Sequence, residues 1–93
     1  MKNGNFTTLD IIKTCKKKAT VEIIPSKHIK IKVFYGGKIV AQTEVSHGRN
    51  NLARGTYSAI AKQLLLTVDE FDKFLECTLT KELYNEKLKN SAN

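Results

Sequence analysis

The sequence predicts an α+β fold of the form α-β-β-β-α, with a three-stranded antiparallel sheet covered by helices and a C-terminal helical extension. Three observations carry that expectation. Ser26 to Tyr35 alternates strictly, placing Ile29, Ile31, Val33 and Tyr35 on one face of a strand and His28, Lys30, Lys32 and Phe34 on the other. Gly36-Gly37 then supplies a two-residue hairpin turn, because both glycines tolerate positive φ. Apolar residues at helical spacing lie on either side of this β region, as Leu9, Ile12 and Cys15 before it and Tyr57, Ile60, Ala61 and Leu64 after it.

Taken in order, Thr7 with Asp10 three residues on reads as a capping box that opens a helix reaching about Lys18, with Ile11 flanking its apolar stripe. Lys16, Lys17 and Lys18 fall in the last turn, where cations meet the negative end of the helix dipole; direct contact with phosphate is the alternative use of the triplet. Thr20 to Ile24 is β-branched and short, a first strand that Pro25 stops. Ser26 to Tyr35 is the second. Lys38 to about Ser46 is the third, with Ile39, Ala41, Thr43 and Val45 sharing a face.

His47 to Gly55 is a polar loop, and Thr56 is placed to cap the helix that follows. Thr67-Val68-Asp69-Glu70 is a second capping box. It opens a helix with Phe71, Phe74, Leu75 and Thr78 on its apolar side. Leu79, Leu83, Tyr84 and Leu88 continue the helical pattern to about Lys89, and residues 90 to 93 are expected to fray. This tail is more hydrophobic than a free helix needs, so it packs on the body or forms an interface, including a homodimer through the C-terminal helices.

With 93 residues there is room for one core. The net charge of +7, from 16 Lys and Arg against 9 Asp and Glu, favours a polyanionic partner. The excess sits before Thr67, and the tail is slightly acidic. Cys15 and Cys77 form no CxxC pair and read as small buried residues of a reduced, cytoplasmic protein. No apolar run spans a bilayer and no signal-peptide core is present. A phosphate-binding glycine loop, a catalytic carboxylate pair and a Ser-His-Asp arrangement are all missing from the sequence.

Two further groups of motifs sit on this frame. Ser26-Lys27-His28 opens the second strand, and Val45-Ser46-His47 closes the third. Leu52-Ala53-Arg54-Gly55-Thr56 then leads into a helix containing Ile60-Ala61-Lys62-Gln63. Their order and spacing resemble the HicA (YcfA-type) family of bacterial messenger-RNA interferase toxins, small proteins with a double-stranded-RNA-binding-domain-like fold. That family has Gly-Ser where this chain has Ser26-Lys27, and a proline where it has Ser46. The resemblance covers residues 7–66 as a HicA-like domain, with 67–93 as a helical C-terminal extension.

The resemblance implies a toxin endoribonuclease that cleaves messenger RNA without metal or cofactor, with His28 as the essential group and a cognate antitoxin protein as partner. A histidine titrating near neutrality suits that chemistry as general base toward a ribose 2′-hydroxyl. Without the family match, a polar residue at a strand start, hydrogen-bonded or in solvent, is the preferred reading of His28. Lys30 and Lys32 share its face and suit phosphate, and Phe34 could stack a base or be covered by the C-terminal helix. His47 is a candidate second acid-base group, or simply a loop histidine. Lys27, Lys38, Arg49, Arg54 and Lys62 complete the expected RNA footprint. The competing expectation is a non-catalytic nucleic-acid-binding or inhibitor module on the same fold, of the kind a mobile element encodes. An assembly protein that dimerises through its tail is a third.

Overall fold

The computed structural model describes residues 1–47 and 51–92. After a 3-10 turn at Asn3–Asn5, the elements are α1 (Thr8–Lys18), β1 (Thr20–Pro25), β2 (Ile29–Tyr35), β3 (Lys38–Val45), α2 (Arg54–Gln63), α3 (Val68–Leu75) and α4 (Lys81–Ala92). The three strands form one antiparallel sheet in the order β1-β2-β3, so β2 is central. Gly36 and Gly37 take φ of +60° and +80°, as the two-residue turn requires.

The Asp10 carboxylate accepts the backbone N–H of Thr7 at 2.8 Å and its hydroxyl at 3.1 Å, fixing the start of α1. The buried line of this helix differs from the expected stripe. Ile11 and Cys15 are buried together with Thr8, Thr14 and Lys18, whereas Leu9 is 55% exposed. Hydrophobicity alone favours Leu9, but the helix turns its threonines and one lysine inward instead.

Ile31, Val33, Ala41, Thr43 and Val45 line the inner face of the sheet. A bulge shapes β3: Val33 pairs with Ala41 but Phe34 pairs with Ile39, leaving Val40 as an extra residue. Ile39, expected inside with Ala41, is therefore turned to the outer face and is 52% exposed. Tyr57, Ile60, Ala61 and Leu64 of α2 cover the inner face as their spacing predicts. The helix itself begins at Arg54 with Ala53 as N-cap, so Thr56 lies within its first turn and does not cap it.

The segment after Leu66 adds Phe71, Phe74, Leu75, Leu79, Tyr84 and Leu88 to the same core. Ring contacts link Tyr57 to Phe71 at 4.7 Å and Phe74 to Tyr84 at 4.8 Å between centroids. The Thr67–Glu70 capping box is present. Between α3 and α4 the chain turns through Cys77 at φ +67°, and this cysteine and Thr78 are exposed where burial was expected. Leu83 is also exposed, at 54%, while α4 continues past Lys89 to Ala92. Cys15 is buried, which pushes its thiol up to about 12 and leaves it inert.

Lys18 lies in the last turn of α1, as its position predicts, but its side chain turns into the core. It is 4% exposed, and its Nζ donates to the carbonyls of Phe74 and Leu79, both at 2.6 Å, while lying 5.1 Å from the Phe74 ring centroid. Burial depresses its pKa. A second buried polar contact joins Tyr57 Oη to Asp72 Oδ1 at 2.5 Å, and the backbone N–H of Lys2 donates to the same oxygen at 3.0 Å. Burial alone would raise the Asp72 pKa, but these bonds and the nearby α-amino group outweigh it and hold the carboxyl below its ordinary 3.8.

Two stability measurements follow from these contacts. Lys18→Met should lower the unfolding free energy by about 3 kcal/mol in urea denaturation, because two buried carbonyls lose their donor. A loss under about 0.5 kcal/mol, the scale of an ordinary surface change, would show that water replaces the ammonium. Asp72 has a depressed folded pKa, so its contribution is complete above 3.8 and disappears as pH falls through the lower folded value. The stability gap between wild type and Asp72→Asn should therefore narrow between pH 6 and pH 3; a constant gap would refute the assignment.

Candidate nucleic-acid interface

The outer face of the sheet has its polar line on β2. His28 precedes the strand and is exposed; Lys30, Lys32 and Phe34 follow on alternate residues and are half-buried. Lys30, Lys32 and Phe34 are successively about 7 Å apart by strand rise, whereas His28, expected on the same strand, lies in the turn between β1 and β2. The pairing register sets their neighbours. Lys30 lies between Ile24 and Glu44, Lys32 between Glu22 and Gln42, and Phe34 between Thr20 and Ile39. Lys30 Nζ is 3.9 Å from Glu44 Oε1, a solvent-screened pair. The face is thus a lysine line with a carboxylate on each side.

At one end of that line, the β1–β2 turn meets the end of β3. Ser26 Oγ donates to the carbonyl of His28 at 3.0 Å, and His47 Nε2 lies 2.8 Å from the carbonyl of Ser26. A carbonyl only accepts, so Nε2 carries the proton and the free lone pair of neutral His47 is on Nδ1. Lys27, His28 and His47 are therefore gathered at one edge, all exposed. The N-terminal segment is tied to the loop leading from His47 to α2: Asn51 Nδ2 donates to the carbonyl of Gly4 at 2.8 Å, and Asn3 Nδ2 to that of Leu52 at 2.9 Å. Arg54 is exposed at the start of α2. Arg49 lies outside the described residues.

Two expected contacts are set apart from this end. Lys38 pairs with Tyr35 beside the glycine turn, at the opposite end of β2. Lys62 is exposed on α2 and precedes Gln63, whose Oε1 accepts the Thr43 hydroxyl at 2.5 Å, so it stands beside β3 and off the β2 line. That edge of β3 and α2 enclose a groove of about 580 Å³ lined in part by Gln42, Glu44, Gly55 and Ala59.

Sequence reasoning passed over a cavity of about 390 Å³ at the hairpin end, lined by Thr20, Phe34, Tyr35, Gly36, Gly37 and Asn85. Asn85 sits on α4, far along the chain, and nothing local in the sequence ties it to β2. Among the described residues, no three His, Cys, Asp or Glu side chains converge as a metal site, and no helix is long and apolar enough to cross a membrane.

The chain matches no family model, and no curated protein or solved structure is significantly similar to it.

If the Glu44 carboxylate offsets Lys30, then Glu44→Gln should elute from immobilised heparin at a higher salt concentration, with roughly a threefold gain in affinity. Unchanged elution would show that Lys30 does not face the polyanion.

Proposed function

We propose that this chain is a HicA-like toxin endoribonuclease of the cytoplasm that cleaves messenger RNA without metal and is neutralised by an antitoxin covering the His28 face. The supporting observation is that His47 is hydrogen-bonded to the Ser26 carbonyl, two residues before His28, so that both exposed histidines lie at the same end of the sheet. His28 takes the proton from a ribose 2′-hydroxyl as that oxygen attacks the adjacent phosphorus. The bond from phosphorus to the 5′-oxygen breaks, and protonated His47 donates to the leaving oxygen through its Nδ1–H. The products are a 2′,3′-cyclic phosphate and a 5′-hydroxyl. Lys30 and Lys32 hold the flanking phosphates and offset charge developing on the reacting one.

The pairing of Lys30 with Glu44 favours a second reading, a non-catalytic RNA-binding or inhibitor module on the same fold. Partly neutralised lysines grip a backbone without concentrating positive charge on one phosphorus. Ser26-Lys27 in place of the family's Gly-Ser points the same way.

Wild type and His28→Ala, incubated with a messenger RNA in EDTA, separate the two. Cleavage by wild type and at least about a hundredfold slower cleavage by the variant are expected of a general base. Equal rates, or no cleavage by either, reject the enzyme. Binding that then persists with a steep salt dependence supports the module.

A further inference from the structure

We infer that the free edge of β3, which faces α2 across the groove of about 580 Å³, takes an extended segment of the antitoxin as a fourth strand, with an acidic residue at the end that reaches His47. The inference rests on the antitoxin reading and adds the form of the segment and its seat.

The groove runs along the edge itself. Gln42, Thr43 and Glu44 are consecutive, and their side chains alternate between the faces of the sheet, Thr43 inward and buried, Gln42 and Glu44 outward and exposed. A cavity lined by all three therefore meets β3 at its backbone. This strand pairs with β2 alone, and among the described residues no backbone hydrogen bond joins its other edge to a further segment. Alternate N–H and C=O groups are left unpaired there. The Val40 bulge breaks the start of the edge, but Ala41 to Val45 has neither proline nor lysine to discourage pairing.

The opposite wall decides what fits. Thr56, Ala59 and Ile60 line it, and at Gly55 an added Cβ would meet nothing within 4 Å. The bond from the Thr43 hydroxyl to Gln63 Oε1 holds α2 against the strand, so the groove is already formed. An added strand lies about 4.8 Å from β3 and turns alternate side chains under α2, where β-branched apolar groups fill the space beside Ile60. A second copy is excluded by the helix. Two β3 edges paired about a two-fold axis would be about 4.8 Å apart, and because α2 packs on β3, the two helices would be forced inside the roughly 8–10 Å that packed helices need. The occupant is a lone strand.

Charge sets its end. No acidic residue lies on α2, and Lys62 shares the helix face of Gly55 and Ala59 by its spacing of seven and three residues. Glu44, on the strand side, is already set against Lys30. Beyond Val45 come Ser46 and His47, both exposed, with Lys27 and His28 at the same end of the sheet. Two residues past the position opposite Val45, about 7 Å along, a carboxylate of the added strand meets these cations and shields His47 from RNA.

The test uses the full-length protein and the fluorescein-labelled peptide Glu-Val-Thr-Val-Thr-Val-Glu, read by anisotropy; its side-chain order is the same in both directions, so it presupposes neither a parallel nor an antiparallel seat. An added strand pairs through alternate residues only. Backbone N-methylation of the two threonines, or instead of the three valines, should therefore weaken binding at least about tenfold in one case and leave it unchanged in the other. Lysine in place of both glutamates should weaken it about fivefold at low salt. Ala59→Phe, which fills the groove from an exposed helix position, should weaken it about tenfold. Absence of binding by the parent peptide, equal effects of the two methylations, or undiminished binding by the lysine peptide overturns the inference, and none of these needs a variant of the protein. A dimer in sedimentation equilibrium that Ala59→Phe dissolves assigns the edge to a second copy and overturns it too. With an active wild type, saturating peptide should slow RNA cleavage, and unslowed cleavage overturns the reach to His47. A wild type that cuts no RNA rejects the ribonuclease alone, and the binding arms still decide the edge.

Discussion

Where α3 ends and the chain turns back into α4, the Lys18 ammonium reaches the carbonyls of Phe74 and Leu79, each at 2.6 Å. The Phe74 carbonyl is in the last turn of α3, at the negative end of that helix dipole, and the Leu79 carbonyl is in the turn that precedes α4, so one cation joins the two. The consequence reaches well beyond the turn. With α3 and α4 held against α1, Phe74, Tyr84 and Leu88 come to rest in the cluster that contains Ile31 and Val33. One side chain from the first helix thereby fixes the last third of the chain over the sheet.

That cover is one-sided, and this asymmetry leaves the outer face for function. Lys30 and Lys32 are half-buried among strand neighbours, a position that long cationic side chains tolerate because their stems are apolar. The net charge of +7 does not make this face uniformly basic. Two lysines are set against Glu22 and Glu44, and the unopposed groups Lys27, His28 and His47 gather at one end. Long-range attraction belongs to the whole body, whereas the face supplies direction and register.

Local patterns in the sequence foretold most of the frame. The Gly36-Gly37 turn and both capping boxes act over a few residues, and each is where its pattern places it. The alternation that starts at Ser26 is a strand only from Ile29, because Ser26, Lys27 and His28 form the turn between β1 and β2. The burial of Lys18 has no such local signature, because the carbonyls it serves lie 56 and 61 residues along the chain. Within Lys16-Lys17-Lys18, only the rotation of α1 selects which lysine turns inward. The exposure of Leu9 and the burial of Ile11 have the same origin. At the site, the line from His28 to Phe34 could be read from spacing, but its flanking carboxylates needed the strand register and its cavity needed α4.

The β3 bulge joins these two levels. An unbroken alternation would send Ile39 inward with Ala41, Thr43 and Val45, the face its spacing predicts. One additional residue at Val40 reverses the faces on its far side, and Ile39 pairs with Phe34 on the outer surface. Phe34 then has an aliphatic neighbour on one flank and Thr20 on the other, which leaves it half-buried instead of fully solvated. Immediately beyond it, the two glycines withhold the side chains that would fill the space toward Asn85. The bulge thus settles which face of the sheet Phe34 and Ile39 share, and the turn without side chains leaves a cavity at the hairpin end that α4 borders through Asn85.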